Sequence, residues 1–110
     1  MNSKTGYVPI LREFAEKVRR VYPEAHIRAY GSYTRGTATP ESDLDVCVVL
    51  KQFRPDDRIL ISDLAWEVGF DNEVFISTIV ISEKEYEQGP LSDSPLIESI
   101  RTDGVAASSF

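Results

Sequence analysis

The length and composition of the chain indicate one globular domain. The sequence has 110 residues, of which 42% are hydrophobic and 27% charged. These values exclude a disordered tail, a collagen-like repeat and a disulfide-rich miniprotein, and we expect residues 1–110 to form a single domain. The net charge of −6 argues against strong binding to DNA or RNA, because sequence-independent binding needs a cationic surface.

Cysteine usage and hydropathy predict a protein of the reducing cytoplasm. Cys47 is the only cysteine, so the chain can form neither an intrachain disulfide nor a cysteine-based zinc site. It lies within the apolar stretch Val46–Leu50, and we interpret it as a small buried hydrophobic residue. No apolar run approaches the roughly 20 residues that span a bilayer. Because Met1–Gly6 also carries no signal-peptide core, we expect no membrane contact.

Hydrophobic periodicity predicts a helix and a short strand in the first part of the chain. Apolar residues recur at helical spacing up to Tyr22, and Pro23 ends this amphipathic helix. Ala25–Tyr30 alternates between apolar and polar residues, which is typical of a strand that runs directly into Gly31. Residues 33–42 are rich in Thr, Gly, Pro and Ser, so we expect a short helical turn and then a loop.

The middle of the chain predicts two strands separated by a helix. Asp43–Leu50 is apolar on both faces beyond Asp45, which is typical of a central strand. A second helix is expected to begin at Pro55 and to end at Gly69. Glu73–Ser82 is rich in Val, Ile, Phe and Thr and is predicted to form a third strand.

The last quarter predicts short helices and a weakly held end. Glu83–Gln88 is interpreted as a helical turn, and Ser94–Thr102 as a final helix with Ser94 as its N-cap, closed by Gly104. Ala106–Phe110 is expected to be loosely attached. The order of elements predicts an α/β (or α+β) fold in which a small mixed sheet packs against helices, and it leaves the strand order open.

Two segments carry the residue types that phosphate and metal chemistry need. In Gly-Ser-Tyr-Thr-Arg-Gly at residues 31–36, Gly31 lets a phosphate approach the backbone and the Ser32 hydroxyl adds a donor. In Ser-Asp-Leu-Asp-Val at residues 42–46, two carboxylates project from one face of a strand. Such a pair repels unless a cation lies between them, as in an oxygen-ligand metal site. Together these are the parts for moving a phosphoryl or nucleotidyl group.

The joint pattern resembles the signature of the minimal nucleotidyltransferases, which belong to the DNA polymerase β-like nucleotidyltransferase superfamily. Gly-Ser-x-x-Arg-Gly, a short loop and Ser-Asp-x-Asp before an apolar strand match over Ala29–Leu50. The resemblance implies the nucleotidyltransferase fold. It also implies a reaction in which a nucleoside monophosphate, which we expect to be AMP, is transferred from a magnesium-bound nucleoside triphosphate to a hydroxyl group. Pyrophosphate is the other product.

The resemblance also implies a role for five residues. Gly31 and Ser32 hold the triphosphate, and Arg35 orients the loop or a phosphate. Asp43 and Asp45 are the catalytic residues and bind two Mg²⁺ ions. For Arg35 the alternative is a structural salt bridge to an acidic neighbour.

The third carboxylate of the family pattern is not evident. The family places it on a later strand, beside the first two, where it helps bind the metal that activates the attacking hydroxyl. This chain has Phe-Ile-Ser-Thr-Ile-Val at residues 75–80, and the alignment puts Thr78 there, or Ser77 after a slip of one residue. Glu73 is the nearest acidic residue, but roughly 13 Å of strand separates it from Ser77. Glu73 can serve as the metal ligand only if the strand begins at a different residue.

Two functions of different class follow from these observations. The first is the transferase, with its acceptor held by a partner protein or by a second copy. The resemblance permits a role as the adenylylating antitoxin of a helical HEPN-type ribonuclease. The second is a catalytically weak or inactive module that binds nucleotide and protein, which the missing carboxylate favours. If the domain binds a protein partner, we expect a contiguous apolar patch on its surface outside the cleft that holds the nucleotide. Val105–Phe110 is a candidate part of this patch.

Overall fold

The fold is built on a four-stranded mixed sheet. The computed structural model describes residues 6–88 and 94–107. In these residues the strands are β1 (His26–Tyr30), β2 (Leu44–Leu50), β3 (Ile76–Ser82) and β4 (Val105–Ala106), in the spatial order β3-β2-β1-β4. β2 pairs antiparallel with β1 and parallel with β3, and β4 pairs antiparallel with β1. The α/β class with a mixed sheet is confirmed.

Helices cover both faces of this sheet. Within the described residues they are α1 (Val8–Val21), α2 (Ser32–Arg35), α3 (Pro55–Asp71), α4 (Glu83–Gln88) and α5 (Pro95–Asp103). α1 and α3 pack on one face through one apolar cluster, and α5 packs on the opposite face through a second cluster, with α4 at its margin. None of the helices in the described part of the chain is long and apolar enough to cross a membrane.

β2 is the central strand, as its apolar run predicts. Val46 and Val48 belong to the cluster under α1 and α3, whereas Cys47 and Val49 belong to the cluster under α5. This alternation follows from the two-residue period of a strand. Burial raises the pKa of the Cys47 thiol to about 11, which agrees with its interpretation as a small buried hydrophobic residue.

α3 does not end at Gly69, and this corrects the sequence prediction. The helix runs on to Asp71, and the Asn72 amide donates to carbonyl groups of the last turn. Gly69 lies inside the helix because the connection to β3 passes against it, and a Cβ at this position would collide with the Val74 carbonyl oxygen. The glycine therefore permits close packing and does not end the helix.

β3 begins at Ile76 and not at Glu73, which is a second correction. Glu73 has φ of 55°, in the left-handed region, so it belongs to a turn. The Val74 amide donates to the Gly69 carbonyl at 3.0 Å, which tightens this turn. The extended backbone can begin only after it.

Ala106 and Ala107 are held against the sheet, contrary to the prediction that Ala106–Phe110 is loosely attached. Ala106 pairs with Arg28 in the antiparallel register of β4 and β1, and Ala107 is buried. Residues 108–110 lie outside the described residues. The N-cap prediction for α5 is confirmed, since the Ser94 hydroxyl accepts from the Ile97 amide at 3.2 Å.

Candidate active site

The segment predicted to bind phosphate is a sharp turn from β1 into α2. Gly31 has φ of 84° and ψ of −152°, a conformation that side chains rarely adopt. Ser32 is the first residue of α2, and Gly36 ends this short helix in the left-handed conformation. Thr34 Oγ1 donates to the Gly31 carbonyl at 2.9 Å. The backbone around Ser32 is therefore held in place by local contacts.

The same turn lies against one of the two candidate metal ligands. β1 and β2 are in register with Tyr30 opposite Asp45, so the chain enters Gly31 beside this carboxylate. A Cβ built on Gly31 would lie 2.5 Å from Asp45 Oδ2. Only glycine leaves room for this approach, and the structure thus brings together the two segments that the sequence motif combines.

Asp43 and Asp45 form a pair at the beginning of β2. Leu44 between them is fully buried in the core, Asp43 is exposed and Asp45 is half-buried. Burial raises the pKa of Asp45, the negative charge of Asp43 raises it further, and the positive charge of Arg35 lowers it. The two carboxylates and the guanidinium therefore share one electrostatic environment.

The donor set fits a divalent cation. Mg²⁺ prefers oxygen ligands, and it is usually bound by one or two carboxylates together with phosphate oxygens of a substrate. Burial and then the negative charge of Asp43 raise the pKa of Asp45, and a bound cation would offset the repulsion between the two carboxylates. These two residues are the groups that would hold it.

The parallel register of β2 and β3 decides which residue lies at the third-carboxylate position. Ser77 is opposite Asp45, whereas Thr78 is opposite Val46. Opposite residues of neighbouring strands point to the same face of a sheet. Thr78 therefore points with Val46 towards the α1 and α3 layer, and its placement beside the aspartates was wrong. The alternative with a slip of one residue is correct, and a serine hydroxyl lies beside Asp45.

The structure does not bring Glu73 to the aspartate pair. Glu73 is exposed and lies in the turn before β3, where it lines a groove beside α3. Among residues 6–88 and 94–107, no three or more His, Cys, Asp or Glu side chains are grouped so that they could hold a metal ion. The carboxylates assembled here are thus Asp43 and Asp45.

Tyr30 is a site neighbour that the sequence did not assign. Its side chain is 8% exposed, and it lies opposite Asp45 across the β1–β2 pair. Burial, and then the charges of Asp45 and Cys47, raise the pKa of its phenol to about 12. Tyr30, Asp45 and Ser77 therefore form a row across three strands. Only the strand register reveals this row, since the three positions lie far apart in sequence.

Comparison with known sequences places this chain within a described family. Residues 11–101 match the family model of the nucleotidyltransferase domain. A protein of Methanocaldococcus jannaschii, provisionally named protein adenylyltransferase MJ1305, is 31% identical over 98 residues, which cover 84% of this chain. The chain spans 65% of that relative's length.

Solved structures share the fold at lower identity. The crystal structure of a provisionally assigned nucleotidyltransferase from Sulfolobus solfataricus superposes with a TM-score of 0.58 at 21% identity, over 94% of this chain and 81% of the other. A toxin–antitoxin complex with AMP-PNP superposes with a TM-score of 0.58 at 19% identity, over 87% and 71%. Because the matched residues 11–101 contain both segments of the site, the chain belongs to the nucleotidyltransferase domain family.

Proposed function

We propose that this domain binds ATP with Mg²⁺ and transfers AMP to a hydroxyl group of a partner protein. The observation that carries this proposal is the contact between the Gly31 backbone and the Asp45 carboxylate, with the charge of Asp43 beside it. The provisional name of the Methanocaldococcus jannaschii relative supports a protein as the acceptor. The presence of AMP-PNP in a toxin–antitoxin neighbour of the same fold supports an adenine nucleotide.

The turn between β1 and α2 would bind the triphosphate. Gly31 carries no side chain, so a phosphate oxygen can approach the backbone there, and the Ser32 hydroxyl can donate to it. Arg35 adds a positive charge close enough to Asp45 to lower the pKa of that carboxyl. These residues orient the nucleotide so that its α-phosphate faces the aspartate pair.

Asp43 and Asp45 would hold the magnesium. A divalent cation bound there supplies positive charge against the triphosphate and against the attacking hydroxyl. The carboxylates themselves fix where that charge lies, because Asp45 is packed against Gly31 and cannot move towards it.

The acceptor side of the site has no carboxylate on β3. In the transfer, the acceptor oxygen forms a bond to the α-phosphorus, and the bond from that phosphorus to pyrophosphate breaks. The proton of the acceptor hydroxyl must leave as well. The Ser77 hydroxyl beside Asp45 is a poor proton acceptor compared with a carboxylate. The proton therefore goes to solvent or to a base on the partner, and we expect slow transfer by the domain alone.

Labelling with α-³²P-ATP tests the proposal. With Mg²⁺ and a cell extract as the source of acceptor, the wild-type chain should transfer label to protein. Asp43→Asn and Asp45→Asn should each lower the labelling at least about 100-fold, because each removes an anionic ligand of the Mg²⁺ that would stabilise the transferred group. Asp56→Asn, which removes an exposed carboxylate from the first turn of α3, is the matched control and should label normally.

A second function is favoured because Ser77, and not a carboxylate, lies beside Asp45 at the position of the third carboxylate of the family. In this function the domain would act as an antitoxin by binding a protein partner. It would also bind Mg-ATP but would not transfer AMP. Calorimetry separates the two functions: ATP binding that depends on Mg²⁺, together with no labelled protein in the extract, would support the module. Labelling that disappears in Asp45→Asn would support the enzyme.

A further inference from the structure

A groove outside the candidate active site exposes three aromatic side chains. It has a volume of about 770 Å³ and lies between the C-terminal half of α3 and the turn that leads to β3. Trp66, Phe70 and Phe75 are 65%, 70% and 65% exposed. The rings of Trp66 and Phe70 stack with centroids 5.1 Å apart. Large apolar side chains clustered at a surface in this way indicate a binding surface.

The groove has a hollow because small residues lie between the aromatic ones. Ala65 and Gly69 are one helical turn apart on α3, are buried, and line the groove together with Ile76. Trp66 and Phe70 follow these positions directly and form the outer wall. The shape therefore admits side chains of a partner and offers them an apolar interior.

The charge at the groove favours a basic occupant. The ionisable residues that line it are Asp71 and Glu73, and its lining contains no Lys, Arg or His. Carboxylates beside exposed aromatic faces attract Lys and Arg side chains, both by opposite charge and by cation–π contact. A second copy of this chain fits poorly, because a two-fold contact centred on the groove would bring the acidic residues of both copies together with no basic residue of the groove to offset them.

The groove and the aspartate pair lie at the same end of the sheet, where β2 and β3 both begin. Ile76, which lines the groove, is opposite Leu44, the residue between Asp43 and Asp45. The Leu44 amide also donates to the Phe75 carbonyl at 2.8 Å. Leu44 and Ile76 point to the face covered by α1 and α3, whereas Asp43 and Asp45 alternate with Leu44 and point to the other face. A protein bound in the groove would therefore reach the carboxylates around the end of the sheet.

We propose that this groove docks the acceptor protein through a segment that carries large apolar side chains flanked by Lys or Arg. This inference rests on the proposed transfer to a protein hydroxyl, and it specifies where that protein binds. The aromatic groove supplies affinity, its acidic residues select a basic segment, and the bound acceptor protein extends around the end of the sheet to the aspartate pair.

Trp66 provides the measurement, since it is the only tryptophan of the chain. The probe is a synthetic amphipathic helical peptide with Leu on one face and Lys on the flanks, and its control has Glu in place of every Lys. The Lys peptide should shift the Trp66 emission to shorter wavelength and the Glu peptide should not. An equal response to both peptides, or no response to the Lys peptide, would overturn the proposal.

Variants locate the binding site. Phe70→Ser and Phe75→Ser should each raise the dissociation constant of the Lys peptide at least about tenfold, as loss of an aromatic anchor does. Their rings are mostly exposed, so the fold should not depend on them. Glu73→Lys should weaken binding through charge, whereas Leu96→Ser, an exposed apolar residue of α5, should leave it unchanged. Equal weakening by Leu96→Ser would contradict the assignment to the groove.

Two further measurements separate this inference from the proposed function. In the labelling assay, Phe70→Ser should lose transfer to protein while keeping the wild-type affinity for Mg-ATP, and Asp45→Asn should lose transfer while keeping the peptide response. Mg-ATP binding without a peptide response rejects the docking site alone. A peptide response without nucleotide binding rejects the proposed function, and with it the acceptor as occupant. Sedimentation that shows a dimer dissociated by Phe70→Ser would identify a second copy as the occupant and overturn the proposal.

Discussion

The two strands that flank β2 contribute very different chemistry to the candidate active site. On the β1 side, the Gly31 turn lies directly against the Asp45 carboxylate, and Tyr30 forms a buried wall beside it. On the β3 side, Ser77 is the neighbour of Asp45, and Glu73 lies in a turn outside the strand. The groups proposed to bind the nucleotide lie together on the β1 side, whereas in residues 6–88 and 94–107 no carboxylate of β3 lies beside Asp45. Binding and turnover should therefore be separable in this chain.

The largest expected effect comes from restoring the missing carboxylate. Ser77→Asp should raise the rate of transfer on the order of 100-fold, because a positioned base contributes about 10²–10⁴ in rate and this position is opposite Asp45. The rate of labelling with α-³²P-ATP measures the change.

Thr78→Asp is the matched control for that variant. Its new carboxylate would point with Val46 towards the α1 and α3 layer, so it should give no gain in rate. It should lower the free energy of unfolding by about 1–3 kcal/mol, the cost of a poorly solvated polar group. A gain from Thr78→Asp with none from Ser77→Asp would show that the register of β3 differs in the active protein.

On the β1 side, Gly31→Ala should remove most of the nucleotide affinity. A Cβ there would be strained by φ of 84° and would lie 2.5 Å from Asp45 Oδ2, so either the turn or the carboxylate must move. We expect Mg-ATP binding to weaken on the order of 10- to 100-fold in calorimetry, since a carboxylate displaced by 1 Å loses its ligand geometry.

Gly36→Ala separates this effect from general backbone strain. Gly36 also has positive φ, of 78°, but it is exposed at the far end of α2. It should lose about 1 kcal/mol of stability while keeping its affinity for Mg-ATP. Equal loss of binding in both variants would mean that the contact with Asp45 is not what matters.

Arg35→Ala should have a smaller effect on the same binding reaction. The guanidinium is exposed and acts on Asp45 through its charge, and exposed charges are screened by solvent. We expect Mg-ATP affinity to fall about three- to tenfold, with most of the loss removed at high salt. Arg20→Ala, which removes an exposed cation from the last turn of α1, should leave the affinity unchanged.

The contrast between the β1 side and the β3 side of β2 also explains which parts of the site could be predicted from the sequence. The Gly-Ser turn and the Asp-x-Asp strand could be predicted because their conformations are set locally, by a glycine at positive φ and by a run of apolar residues. The position of β3 could not, since it depends on packing between distant segments. Gly69 was predicted to end α3, but it lies inside the helix, where the lack of a side chain lets the Val74 carbonyl pack against it.

The row formed by Tyr30, Asp45 and Ser77 was hidden for the same reason. The row follows from the antiparallel pairing of β2 with β1 and the parallel pairing of β2 with β3. No local sequence motif determines the register of either pairing. The exposed aromatic groove likewise results from the way the α3–β3 turn folds back on α3, which composition does not reveal.

The smallest expected effect concerns the stability of the domain without metal or nucleotide. Burial and the charge of Asp43 raise the pKa of Asp45 above its ordinary value of 3.8. The folded state therefore binds this proton more tightly than the unfolded state does, and as pH rises from the unfolded towards the folded pKa the stability falls. At pH 7 the ionised carboxylate destabilises the folded domain. Asp45→Asn should then raise the free energy of unfolding by about 0.5–1 kcal/mol, a value discounted because Asp45 is partly exposed to solvent.

Urea unfolding at pH 7 and at pH 3 measures this difference. The stabilisation by Asp45→Asn should be present at pH 7 and should shrink at pH 3, where the wild-type carboxyl is protonated. Asp63→Asn, at an exposed position of α3, is the control and should change stability at neither pH. Saturating Mg²⁺ and ATP should reverse the order, since ligand bound only to the folded wild-type chain stabilises it by mass action. A variant that is less stable than wild type at pH 7 without ligand would show that the negative charge of Asp45 is already compensated within the folded chain.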